Sequence, residues 1–405
     1  MIPGKGPIVF PSEDFVKTMT KRCLPLVLLA CWLTLAATAR AQDGDDSPVG
    51  GGQLEVGFDF LWSWMKGDFF PAMATVGSSK DAVPGALGQP NTTIILGNRD
   101  IDHGEIDGGR VSMVYWLNSD RTLSVEGNFF LLEQQTFVFN TSSDGGSLTQ
   151  VLAKPFFNPV SNQEDAALRS SPGDLAGNVN FNYTTRLMGA ELNGRWFLVG
   201  DNVSDGPSIS VLAGARWLTL QEKYTSAETT VELPAGTGST TFISDDFATF
   251  NQYYAGQLGM QLKYRWDCNL TFDVQGKIAV GPNVETLKIN GFSSVLDSTG
   301  AMTTGNQGLY AQPSNIGQHH HTVIAFMPEG SANFGWEPFS WLKLQVGYTF
   351  MYLNRVIRPG ESIDRAVNIQ PVGATQQIGP AQPVANFNQV GFWVQFVNLG
   401  VGFTF

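Results

Sequence analysis

The feature that most constrains this chain is a strict alternation of apolar and polar side chains in segments of about ten residues. In the segment 54–64 the even positions are Leu, Val, Phe, Phe, Trp and Trp, whereas Glu55 and Asp59 lie between them. The segment 342–352 repeats the pattern. A period of two gives a strand one apolar and one polar face, and no helical period competes in these windows. A strand of this length can cross a lipid bilayer.

Ten segments fit this template, and we predict that they form one antiparallel sheet closed into a barrel. They are 54–64, 110–117, 123–131, 186–197, 209–217, 250–264, 270–280, 324–336, 342–352 and 397–405. An even number of strands is expected in a closed single-chain barrel. The connections are long enough to contain further hairpins, so twelve strands remain an alternative.

The connections between these segments alternate in length. Those at 65–107, 133–183, 221–247, 283–322 and 354–390 are long, and those at 118–120, 200–207, 266–269 and 337–340 are short. Membrane barrels have short periplasmic turns and long extracellular loops. We therefore predict an all-β transmembrane barrel over residues 53–405, with its N-terminus and its short turns in the periplasm.

The N-terminal residues have the pattern of an export signal. Three basic residues precede an apolar stretch over 23–39, and Ala39-Arg40-Ala41 supplies the small residues that a signal peptidase requires. We predict that residues 1–41 are an N-terminal extension plus signal peptide, with Met19 as an alternative start. Residues 42–52 then form a short acidic and glycine-rich leader. The expected location is the outer membrane of a two-membraned bacterium.

The charge and cysteine content argue against a soluble domain, a nucleic-acid-binding protein and a disulfide-bonded fold. Charged residues make up 15% of the chain, against about 25% in soluble domains. The net charge of −12 argues against a nucleic-acid partner. Removal of 1–41 leaves Cys268 as a single cysteine, so we expect no internal disulfide. Acylation of Cys31 is an alternative that the continuing apolar run disfavours.

The last segment alternates up to a terminal phenylalanine. A final strand that ends in an aromatic residue resembles the recognition signal of bacterial outer-membrane assembly machinery. We assign Val401, Phe403 and Phe405 to this signal. The expected partners are therefore outer-membrane lipid and the assembly machinery. Ending the chain here also lets the last strand pair with the first and leaves no sheet edge in hydrocarbon.

Several motifs resemble the putative beta-barrel porin-7 family of bacterial outer-membrane proteins over nearly the whole mature chain. The more distinctive ones are Gln312-Pro313-Ser314-Asn315-Ile316-Gly317 and Arg358-Pro359-Gly360. Others lie at 60–67, 108–117, 187–193, 256–259 and 398–403. The resemblance implies a single membrane barrel with a porin role. It brings no catalytic residues and no known solute.

Nine charged residues occupy positions that we predict to face the lumen. They are Asp59, Arg110, Glu126, Glu191, Arg195, Arg216, Asp273, Lys277 and Lys343. Both signs occur. We predict that the nine residues line a narrow porin-like path for ions or small solutes, and the alternative is that they form ion pairs that plug the barrel. In the second case the protein is a structural or adhesive surface barrel that functions through its extracellular loops.

No enzymatic activity, cofactor or metal is expected. The histidines fall in predicted connections, and no nucleophile elbow lies on a predicted strand. His319-His320-His321 could place two imidazoles near one zinc ion, but we favour a solvated loop or strand rim.

Overall fold

The computed structural model describes residues 54–148, 150–234, 236, 238–373 and 378–405. The predicted N-terminal segments 1–41 and 42–52 lie outside the described residues. In this part of the chain there are eighteen strands and one short helix, α1 (Pro359–Ser362). The strands are β1 (Leu54–Met65), β2 (Asp68–Phe70), β3 (Ala74–Gly77), β4 (Thr93–Leu96), β5 (Arg99–Ile101), β6 (Ile106–Trp116), β7 (Leu123–Leu132), β8 (Gln135–Ser143), β9 (Val151–Asn158), β10 (Gln163–Ser170), β11 (Leu175–Val199), β12 (Gly206–Glu232), β13 (Thr240–Arg265), β14 (Leu270–Leu296), β15 (Met302–Gly305), β16 (Gly317–Phe339), β17 (Leu342–Ile357) and β18 (Gln389–Thr404).

Ten of these strands form a closed antiparallel ring, in the order β1, β6, β7, β11, β12, β13, β14, β16, β17 and β18. The ring closes where β18 pairs with β1, with Phe403 opposite Val56 and Val397 opposite Trp62. Each predicted segment falls on one ring strand, so the prediction of a ten-stranded antiparallel barrel is confirmed. No helix of the described residues is long and apolar enough to cross a membrane.

Five ring strands are much longer than predicted. β11, β12, β13, β14 and β16 have 23 to 27 residues each. The predicted long connection 221–247 is therefore wrong, because strand structure leaves only 233–239 between β12 and β13. The predicted connection 283–322 likewise contains the end of β14, all of β15 and the start of β16.

These strands are longer than predicted because their apolar side chains change from the outward face to the inward face part of the way along each strand. On β14 the outward side chains are apolar from Phe272 to Val280, and they become polar at Thr286 and Lys288. Within the same strand, the apolar side chain of Leu287 is buried inside the barrel. Above the bilayer the outside is water, so the apolar face of the strand must turn inward. The outward apolar face, from which the sequence predicts each strand, ends at this level, and the predicted strands therefore end there too. We call the extracellular portions of these five strands the outer barrel: 175–186, 221–232, 240–252, 286–296 and 317–322.

The remaining long connections fold into the outer barrel. β10, β9, β3 and β4 form a four-stranded sheet, and β2 pairs with β5. Side chains from these connections, including Phe70, Leu152 and Tyr310, pack against Phe181 and Phe247 on the barrel wall. This outer core is apolar and fully buried. The loops are therefore part of the folded barrel interior.

Candidate functional site: the barrel interior

The periplasmic half of the lumen contains a polar cavity of about 230 Å³. All nine charged residues that the sequence predicts to face the lumen lie on its wall: Asp59, Arg110, Glu126, Glu191, Arg195, Arg216, Asp273, Lys277 and Lys343. They come from seven ring strands, and strict alternation turns each of them inward. We call this space the lumen cavity.

Most of these charges form ion pairs with one another. Arg110 Nε donates to Asp59 Oδ2 at 2.8 Å, and Arg195 forms a bidentate ion pair with Glu126. These ion pairs join neighbouring or nearby strands. The paired charges neutralise each other, so they attract a passing ion less strongly than unpaired charges would. Of the nine, Asp273 and Lys343 make no ion pair within the described residues. Asp273 instead accepts a hydrogen bond from Asn333.

A four-residue cluster crosses the middle of the lumen cavity. Lys277 Nζ lies 2.9 Å from Glu191 Oε1 and 2.7 Å from Glu329 Oε1, and Arg216 contacts both carboxylates. Lys277 on β14 and Glu191 on β11 are separated by two strands of the ring. The cluster therefore braces the barrel across its interior. Sequence reasoning missed Glu329, although it shares the inward phase of Asn333 in the predicted strand 324–336.

Above the lumen cavity, a continuous apolar layer fills the barrel. We call it the septum. It consists of eighteen buried side chains, none more than 8% exposed, and all ten ring strands contribute: Leu61, Met65, Ile106, Leu132, Leu187, Leu218, Leu220, Tyr253, Ala255, Ala279, Ala325, Met327, Met351, Leu353, Val356, Phe392, Val394 and Phe396. Leu61, Leu218, Met351 and Phe396 also form part of the lining of the lumen cavity.

Contacts at the two edges of the septum join strands that are not neighbours in the ring. The rings of Phe130 on β7 and Phe396 on β18 lie 5.8 Å apart, although β1 and β6 separate their strands in the ring. At the outer edge, Asn251 on β13 donates to the Ile357 carbonyl oxygen of β17 at 2.8 Å. A ten-stranded barrel is near the size at which side chains fill the interior, and the septum occupies the interior at its level.

A buried arginine lies directly above the septum. Arg358 donates to Glu222 on β12 at 2.6 and 2.9 Å, to Tyr183 at 2.8 Å and to the Lys66 carbonyl oxygen at 2.9 Å. Burial alone would lower the pKa of Arg358, but Glu222, Tyr183 and Asp68 together outweigh burial and hold the pKa well above its usual value. Arg358 thus ties the β17–β18 connection to the first connection and to the wall.

Asp68 completes this network from β2. Its Oδ2 accepts a hydrogen bond of 2.7 Å from the Gly360 amide, and its Oδ1 is 3.8 Å from Arg358. Burial raises the pKa of Asp68 to about 8, against the opposing effect of Arg358. Arg358 lies closer to Glu222 than to Asp68, and its charge therefore offsets only part of the effect of burial on the pKa of Asp68.

A second buried charge cluster holds the second connection. Lys154 on β9 lies 2.8 Å from Glu228 and 3.5 Å from Asp245, and Arg169 lies 2.6 Å from Glu228. Burial alone would lower the pKa of Lys154, but Glu228, Tyr224, Asp245 and Tyr310 together outweigh burial and hold the pKa well above its usual value. Tyr310 stacks beneath the ammonium at 4.9 Å. Sequence reasoning missed this cluster because its residues lie in predicted connections.

The distinctive motifs position these connections. Asn315 donates to the Tyr310 carbonyl oxygen at 3.0 Å, and Ser314 donates to the Pro383 carbonyl oxygen at 2.7 Å. At Gly360 the backbone passes so close to the Phe69 carbonyl oxygen that a Cβ atom would collide with it. These motif residues serve the packing of the outer core.

The C-terminal residues pair with the first strand of the ring. Val401 and Phe403 lie on β18, opposite Phe58 and Val56 of β1, and the amide of Phe405 donates to the Leu54 carbonyl oxygen at 2.8 Å.

The three consecutive histidines lie on β16, at the rim of the outer barrel. Among the described residues, no group of three or more His, Cys, Asp or Glu side chains is arranged to hold a metal ion.

A closed antiparallel ring of ten strands with an apolar outer band defines a transmembrane β-barrel protein. The family model described as Putative beta barrel porin-7 matches residues 56–405. The chain therefore belongs to this family of outer-membrane β-barrels, as the resemblance of its motifs indicated.

Three solved structures are similar to this chain at low identity. The outer membrane protease OmpT from Escherichia coli is 8% identical, with 90% of this chain and 99% of that chain covered and a TM-score of 0.40. The CymD monoaromatic hydrocarbon channel is 8% identical, with 88% and 89% covered and a TM-score of 0.28. A FadL homologue from Pseudomonas aeruginosa is 8% identical, with 88% and 91% covered and a TM-score of 0.21. At this similarity none of them assigns a function. No curated protein matches the chain.

Proposed function

We propose that this protein is a closed outer-membrane barrel with a structural or adhesive role at the cell surface. The observation that carries the proposal is the septum, to which all ten strands contribute and in which every side chain is buried. The septum belongs to the wall itself, so displacing the extracellular connections does not remove it. The outer barrel and its core then form a rigid body that the membrane segment holds at the surface.

The extracellular hairpin of β14 and β15 offers a contact surface for this role. Phe292, Leu296 and Met302 are exposed there, and the rings of Phe292 and Phe242 are 6.1 Å apart. Exposed apolar groups at the extracellular end, far from lipid, favour contact with another molecule.

A narrow porin-like channel for ions or small solutes is the second candidate. The lumen cavity and its mixed charges favour it, as does the porin role that the family description carries. Conduction would require the septum side chains to rearrange, because the cavity meets them at its outer end.

Export and assembly complete the proposal. The chain reaches the outer membrane through a cleavable signal peptide at 1–41, and the assembly machinery recognises Val401, Phe403 and Phe405. We propose no catalytic activity. His321 lies 3.2 Å from Glu285, as a catalytic base would from its carboxylate, but its other contacts in the described chain are with Gln389 and Phe387. Neither is a nucleophile.

Solute uptake by proteoliposomes tests the proposal. Vesicles that contain the folded barrel should swell in isotonic solutions of small sugars or amino acids no faster than protein-free vesicles. The triple variant Leu61→Ala/Met351→Ala/Phe396→Ala, which thins the septum, is the matched control and should swell faster. Rapid swelling with the unaltered protein would replace the surface role with the channel.

A further inference from the structure

The outer face of the long strands marks the membrane surface. The outward side chains of β14 change from apolar to polar between Val280 and Thr286. Register pairing places Thr286 opposite Phe250 of β13 and His320 of β16, so the change occurs at one level across three strands. This is the level at which the hydrocarbon ends and the lipid headgroups begin.

The long strands carry outward cations near this level. Arg186, Lys223 and Lys288 face outward on β11, β12 and β14, and Asp246 faces outward on β13. Lys223 pairs with Asp246 at 2.7 Å. The exposed carboxylates of Asp107 and Glu133 lie level with Arg186. Lys288 makes no ion pair within the residues that the structure describes, and an unpaired cation at the headgroup level favours an anionic partner.

A groove lies beside one of these cations. It has a volume of about 330 Å³ and is lined by Phe250, Gln252, Thr286, Lys288 and Gln318, from β13, β14 and β16. Lys288 provides a cation, and the two glutamine amides provide hydrogen-bond donors. Phe250 provides an apolar wall beside them. An ammonium with amide donors fits a phosphate, and an apolar wall at the edge of the hydrocarbon fits the first methylenes of an acyl chain.

We propose that this groove binds the phosphate-bearing headgroup of a lipid in the outer leaflet. Lys288 pairs with the phosphate, Gln252 and Gln318 donate to headgroup oxygens, and the acyl chains run down the apolar face past Phe250. The site is on the outside of the barrel and is independent of whether the lumen conducts.

Native mass spectrometry of the refolded barrel with diphosphoryl lipid A tests this site. The unaltered protein should retain the lipid, and Lys288→Gln should bind it about five-fold more weakly. Lys80→Gln, which removes an exposed lysine in the connection after β3, is the matched control and should bind normally. Lys288→Arg keeps the charge and should also bind normally.

Three results would overturn the assignment. Equal binding by Lys288→Gln and the unaltered protein would show that the groove is not the site. Equal binding of lipid A from which both phosphates have been removed would show that an apolar contact alone is responsible. Displacement of lipid A by an excess of inorganic phosphate would show a site for free anions. Heat-modifiable migration on a gel checks that each variant is folded.

Discussion

Arg358 shows how one side chain attaches an extracellular connection to a membrane barrel. Its guanidinium contacts Glu222, Tyr183 and two carbonyl oxygens, and the residue is buried. A buried ion pair adds little net stability, but removal of one partner leaves a charge buried without compensation. Substitution of Arg358 should therefore cost more stability than substitution of Arg365, because the ion pair of Arg365 with Glu164 is partly exposed.

Replacement of Arg358 should loosen the outer core and leave the membrane ring folded. We expect Arg358→Gln to destabilise the packing of the connections by about 3–5 kcal/mol, because Glu222 loses its partner. Limited proteolysis should then cut the connections at 66–105 and 358–388 in the variant. Arg365→Gln is the control and should resist protease like the unaltered protein. Equal resistance of Arg358→Gln would contradict the role given to Arg358.

Asp68 should make the packing of the first connection depend on pH. Its folded-state pKa is about 8, above the ordinary value of 3.8, so the folded state binds the proton more tightly than the unfolded state does. The stabilisation is complete below pH 3.8 and is lost as the pH rises through 8. Hydrogen exchange of β2 should therefore quicken between pH 5 and pH 9, after correction for the intrinsic rate. Asp68→Asn should abolish this change, and an unchanged pH profile in that variant would contradict the assignment.

At the scale of elements, the alternation of each strand explains both what the sequence predicted and what it missed. Asp59 and Glu191 were predicted to face the lumen because their strands carry clear outward apolar faces. Glu222 on β12 and Asp245 on β13 lie where those two strands leave the bilayer and turn their apolar faces inward. Contacts such as that of Lys154 with Glu228 join distant parts of the chain, and no local pattern in the sequence encodes them.

The septum should contribute strongly to the stability of the ring. Phe396→Ala leaves a cavity that other wall residues cannot fill, and we expect a loss of about 3–5 kcal/mol in the free energy of unfolding. Leu258→Ala, on the lipid-facing side of β13, should cost less because lipid fills the space. Urea titration of the vesicle-inserted barrel, followed by tryptophan fluorescence, measures both. Equal losses would indicate that the septum is loosely packed.

At the scale of the whole molecule, the barrel has three interior layers. The lumen cavity lies at the periplasmic end, the septum closes the middle, and the buried charge clusters and the outer core fill the extracellular end. The sequence predicted the ring and the charged wall. It left open whether the interior was a path or a plug, because a list of inward residues does not say whether they meet across the lumen. Contacts between strands that are not neighbours, such as Phe130 with Phe396, are visible only in the structure, and they support the proposal of a plug.

The central claim is that the lumen is closed, and single-channel recording in planar bilayers tests it most directly. The refolded barrel, shown to be inserted by heat-modifiable migration, should give no unitary conductance steps in potassium chloride. The Leu61→Ala/Met351→Ala/Phe396→Ala variant provides the positive control and should give steps. Stable, uniform steps from the unaltered protein would contradict the account and establish a channel.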